Sequence, residues 1–158
     1  MKLIGARTDV VLPSVPVNLR ENIRICTTCE LSSSELDAIE RAFLALMFGM
    51  NSTPPLAGAS HVAIVITDQD AISLSFADPG TLGVQFSLIV LAVHRWRAHG
   101  YDTRIMTMCC LEELCHFFWD LPDGYPVQLK VTDLMQALWP GVRREQLYRE
   151  SCPPPGNP

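Results

Sequence analysis

From Ile105 to Trp119 the only strongly polar side chains are Thr107, Glu112, Glu113 and His116. A helix apolar on nearly every side is stable in water only when other elements cover most of it. The segment therefore predicts a helix at the centre of a packed domain. The two glutamates then become informative, because a carboxylate taken out of water is costly unless it is paired, hydrogen-bonded, protonated or metal-bound.

With 158 residues, 48% hydrophobic and 18% charged, the chain suits one globular domain over residues 1–150. Residues 151–158, Ser-Cys-Pro-Pro-Pro-Gly-Asn-Pro, read as a flexible Pro-rich tail. A net charge of -5 and only short basic clusters, at 94–97 and 142–144, exclude nucleic acid or an anionic membrane as the main partner. Arg7, Thr8 and Asp9 interrupt the N-terminal stretch where a secretory apolar core would run. The apolar run from Val84 to Val93 is too short to span a bilayer. A cytoplasmic protein is expected, and with it reduced cysteines packed as small hydrophobes.

Periodicity supplies the elements. Ile23 to Cys26 predicts a short strand, and Ser34 with Asp37 predicts a capping box in which Ser32 and Ser33 compete. Leu36, Ile39, Phe43, Leu46 and Met47 then share one face of a helix. His61 to Thr67 and Ala71 to Phe76, separated by Asp68-Gln69-Asp70, predict a hairpin. Leu82 to His99 predicts a long helix ended by Gly100, followed by helices over 103–119 and 127–138 and a last turn at 143–149. The expected fold is α+β, a small antiparallel sheet or hairpin with one helix before it and three after.

Within the central helix, Glu112 and His116 stand four apart on one face, and Glu113 borders it. Continued to Asp120, the stripe offers two carboxylates and an imidazole to a divalent metal. Glu112-Glu113-Leu114-Cys115-His116 resembles the H-E-x-x-H motif of the zincin metallopeptidases, with Glu112 where the first His belongs. The resemblance implies a zincin-like fold, with His116 and Glu112 as ligands of Zn, or of Fe or Mn, and Asp120 or Asp123 as the third. It implies Glu113 as general base on metal-bound water, and a peptide or protein as substrate. Additional anionic ligands weaken the power of Zn to acidify water, so a degenerate, metal-binding but non-catalytic relative is an equal expectation.

The alternative is a non-enzymatic interaction or scaffold protein, a homo-oligomer included. Its glutamates would pair with Arg95, Arg97 or Arg104, and Trp96, Phe117, Phe118, Trp119 and Trp139 would form a core or dimer face. His94 is a further candidate ligand if it approaches Glu112. A single E-x-x-H does not make a di-iron bundle. Cys26-Thr-Thr-Cys29 lacks the second pair that a structural zinc site needs, and six residues separate it from the expected helix. Neither a phosphate-binding Gly loop nor a G-x-S-x-G elbow occurs.

Overall fold

A computed structural model of the chain describes residues 2–52, 55, 61–75 and 87–150. Its centre is a three-stranded parallel sheet, β2 (Ile23–Thr27), β3 (Val62–Thr67) and β5 (Ser87–Ala92), in that spatial order. A two-residue antiparallel pairing of β1 (Lys2–Leu3) with β4 (Leu74–Ser75) stands apart from it. The helices are α1 (Ser33–Ser52), α2 (Val93–His99), α3 (Thr103–Trp119), α4 (Tyr125–Leu138) and α5 (Arg144–Glu150).

The α+β class expected from the sequence holds, but the sheet is parallel where an antiparallel hairpin was expected. β3 carries apolar residues on both faces. That pattern belongs to a strand with neighbours on both edges and cover above and below. Its partners are β2, reached through α1, and β5, whereas Leu74 and Ser75 turn away to pair with Leu3 and Lys2. The expected long helix over 82–99 is likewise corrected. Residues 87–92 are strand, residues 93–99 are helix, and 82–86 lie outside the described residues. A short apolar run has no polar residues to reveal its period, so strand and buried helix read alike. The turn expected at 77–81 and the Pro-rich tail also fall outside the described residues.

Parallel register sorts the strand residues into two faces. Ile23, Val62, Ile64, Ile66, Ile89 and Leu91 belong to the main core, with Ile39, Phe43 and Leu46 of α1 and Met108, Leu111, Leu114 and Phe118 of α3. α3 is apolar almost all round because α1, α4, α5 and β5 each take part of its surface. Among the described residues, no helix is long and apolar enough to cross a membrane.

Of the competing caps expected for α1, Ser32 is used rather than Ser34. Its hydroxyl accepts from the Glu35 amide at 3.3 Å, and its amide donates to Glu35 Oε2 at 2.7 Å. Asp37 instead pairs with Arg41 one turn on, at 2.8 Å. Glu35 is selected because it is buried and also holds Arg97 of α2 through two hydrogen bonds, 2.7 and 2.9 Å long. Arg97, expected as a partner for Glu112 or Glu113, is thus committed to Glu35.

Candidate binding site

α3 starts where the sequence places it. Gly100 adopts φ 62° to end α2, and the Asp102 carboxylate accepts from the Ile105 amide to start α3. α3 ends at Asp120, whose φ of 50° puts a non-glycine residue in the left-handed region. Just beyond, His116 Nδ1 donates to the Leu121 carbonyl, and its Nε2 lies 3.3 Å from Asp123 Oδ1. The carbonyl can only accept, so Nδ1 carries the proton. Asp123 itself is fully exposed.

The five residues singled out in the sequence separate into three environments. His116 and Asp123 come together as described. Asp120 is the exposed helix cap. Glu112 is half-buried: desolvation pushes its carboxyl above the usual range, His116 pulls it back, and Glu113 and Asp123 add to the rise. Glu113 is exposed and faces a different side of α3. Among the described residues, no three His, Cys, Asp or Glu side chains converge as a metal-holding group. His94, the further candidate ligand, is held elsewhere, with its Nε2 2.9 Å from Asp70 Oδ1.

Because Asp120 serves as the left-handed cap of α3, Asp120→Gly is expected to raise stability by about 0.5–1 kcal/mol, read from thermal melts. Asp120→Val is expected to lower it, since a β-branched residue is disfavoured at positive φ.

Glu113 lines a cleft of about 320 Å³. Val90, Leu91 and Ala92 of β5 form one wall, with Arg95, Trp96 and His99 of α2, then Tyr101, and Cys109 and Glu113 of α3. His99 stacks on Tyr101 with ring centroids 5.3 Å apart. Trp96 is buried and supplies an apolar floor, while Val90 is 41% exposed. Arg95 and His99 stand one turn apart on a single stripe of α2, and Glu113 lines the same cleft. The Cys109 thiol is pushed up to about 12 by burial and by Glu112 and Glu113, so it is no thiolate nucleophile at neutral pH.

The sequence expectations for this region covered only part of the cleft. Glu113 is expected as a base and Arg95 as a partner for the glutamates, whereas His99 enters only as the last residue of an expected helix. The Arg95–His99 spacing of four was the available signal. Val90, Trp96, Tyr101 and Cys109 gave none, because nothing local shows that β5 runs beside α3.

Cys26, Cys29, Cys109, Cys110 and Cys115 are all free. Burial pushes the Cys29 thiol up against a hydrogen bond from Thr27 that lowers it, opposite to what an activated C-x-x-C requires.

No family model, curated protein or solved structure matches the chain.

Proposed function

We propose that the protein is a non-catalytic interaction module, and that the polar residues at the end of α3 are a structural remnant of a zincin-like arrangement rather than a hydrolytic centre. The observation that carries this reading is that Glu113 and His116 have different neighbours. A metallopeptidase base and its metal ligand must address one water molecule. Here Glu113 lines the cleft with Arg95 and His99, whereas His116 is engaged by Leu121 and Asp123 at the end of the helix. Glu112, in place of the first His, adds negative charge where Zn chemistry needs electrophilic strength.

A second reading is favoured by one specific feature. With Nδ1–H given to a carbonyl, the lone pair of a neutral His116 sits on Nε2, beside Asp123 and within electrostatic reach of Glu112. That is the tautomer and outer hydrogen bond of a metal-ligating imidazole. In this version His116, Asp123 and Glu112 hold a divalent Zn, Fe or Mn ion weakly, Glu113 is the base, and the chain acts on a peptide.

Glu112→Gln separates the two. Glu112 loses more by burial than it gains from its neighbours, so its folded carboxyl titrates above the unfolded one. Ionisation therefore destabilises the fold, and the loss sets in as pH rises through the unfolded and then the raised folded value. In the structural reading Glu112→Gln raises the melting temperature at neutral pH, and the gain vanishes on acidification below the unfolded carboxyl range. Zn or Mn added to the parent protein then shifts neither the melt nor the calorimetric baseline. In the metal reading the parent protein takes up about one equivalent and melts higher, and Glu112→Gln and His116→Ala both remove that shift.

A further inference from the structure

The sheet leaves its two edges in different states. Val62 donates its amide to the Asn22 carbonyl at 2.8 Å, so Val62 faces β2. Backbone direction alternates along a strand. Ala63, Val65 and Thr67 therefore face β5, and the register Ala63–Leu88, Val65–Val90 turns Ser87, Ile89 and Leu91 inward. Leu88 and Val90 consequently direct their amides and carbonyls outward. On β2 the same alternation turns Thr27 outward, and there the Arg7 amide covers its carbonyl at 2.8 Å. On β5 no described residue bonds to the outward groups.

An open edge is ordinarily blunted by proline, lysine, a bulge or a covering loop. β5 reads Ser-Leu-Ile-Val-Leu-Ala, with no charge and no proline. The cleft beside this strand has Val90, Leu91 and Ala92 in its wall. At the carboxyl end of β5 the chain passes directly into α2, which sets Arg95 and His99 there. The only ionic contact of Arg95 among the described residues is the exposed Asp70, at 3.9 Å. Glu113 has no hydrogen bond or ion pair among the described residues.

We propose that the outer edge of β5 docks an extended peptide, added as a further parallel strand, that ends in a free carboxylate at Arg95 and His99 and carries a basic side chain for Glu113. The proposal deepens the interaction-module reading and rests on it. Strand addition supplies affinity through main-chain hydrogen bonds, and alternate side chains supply selectivity. Charge decides the direction. A parallel strand brings its carboxyl end to the Arg95 guanidinium and the His99 imidazole, whereas an antiparallel one would bring its amine to Arg95. The apolar side chain nearest the terminus packs on Val90 and over Trp96.

The test uses the whole chain, in EDTA, with fluorescein-labelled Thr-Val-Thr-Lys-Thr-Val bearing a free carboxylate, followed by anisotropy. Saturable binding is expected, weakened about tenfold or more when the peptide is amidated or when Arg95→Glu is introduced, because each removes a charged hydrogen bond. Glu113→Lys is expected to reverse the preference for that peptide over one with Glu in place of its Lys. Val90→Pro removes an outward amide without touching the β3 ladder, and should abolish binding while circular dichroism stays unchanged. No saturation, equal binding of the amide, or dimerisation through β5 in place of peptide binding overturns the proposal. Cleavage of the peptide on addition of Zn would overturn the interaction-module reading itself. Absence of cleavage, of metal uptake and of peptide binding would remove the docking proposal alone.

Discussion

Replacing Arg97 by alanine is expected to destabilise the protein by about 2–3 kcal/mol near neutral pH, below the 3–5 typical of a fully buried pair because Arg97 is partly exposed. Its partner Glu35 is the reason for the size of the effect. The Glu35 side chain is 3% exposed and that of Arg97 44%. Burial alone would push the Glu35 carboxyl up. The two hydrogen bonds from Arg97, together with the Ser32 amide, outweigh that and hold it below the usual range. A depressed folded carboxyl contributes stability above its unfolded titration range, and that contribution is lost as pH falls through the folded value. In Arg97→Ala desolvation wins, the carboxyl shifts upward, and protonation relieves the strain. The melting curves of the two proteins should therefore converge on acidification and stay apart at neutral pH. A gap that does not change with pH would mean that Glu35 is not the group left unpaired. Arg97 also donates to the Glu30 carbonyl at 2.9 Å, so Arg97→Lys is expected to recover only part of the loss, since lysine lacks the planar fork.

Gly49→Val is expected to cost about 1–3 kcal/mol, the range for inserting bulk into a packed contact. A Cβ at Gly49 would fall 2.2 Å from Leu134 Cδ2 and 3.6 Å from the Trp119 ring. Leu134 is 3% exposed, and its Cδ2, the end of a flexible side chain, would have to shift toward the cleft that it lines with Gly49. Gly49→Ala makes a useful comparison. It gains about 1 kcal/mol of helix propensity relative to glycine, which offsets part of the same clash. The expected order of melting temperatures is parent, then Ala, then Val, with Val lower than the parent by about 5–10 °C. If all three melt together, α1 and α4 do not approach as closely as Gly49 permits. The same contact holds α4 against the aromatic end of α3, where Lys130 lies 4.2 Å over the Trp119 ring.

The sequence by itself determined the elements whose signals are local. α3 has both its ends fixed by side chains within a few residues, Asp102 before it and the 120–124 turn after it. The burial of α3 followed from an apolar pattern on every side, and β2, β3 and most of α1 were equally legible. What the tertiary structure decided was pairing. The direction of the sheet depends on contacts between Ile23, Val62 and Ser87, residues far apart in the chain. A strand buried on both faces looks the same from its own residues whichever neighbour it takes. The true cap of α1 was decided in the same way, because Glu35 meets Arg97 from sixty-two residues away. The motif shows the limit most clearly. Spacing put Glu112, Glu113 and His116 on adjoining faces of one helix. Only the packing of β5 and α2 against that helix gave Glu113 a cleft of its own, and only the turn after Asp120 brought Asp123 to His116. Local sequence sets which side of a helix a residue occupies, whereas the identity of what lies opposite is set by the rest of the chain.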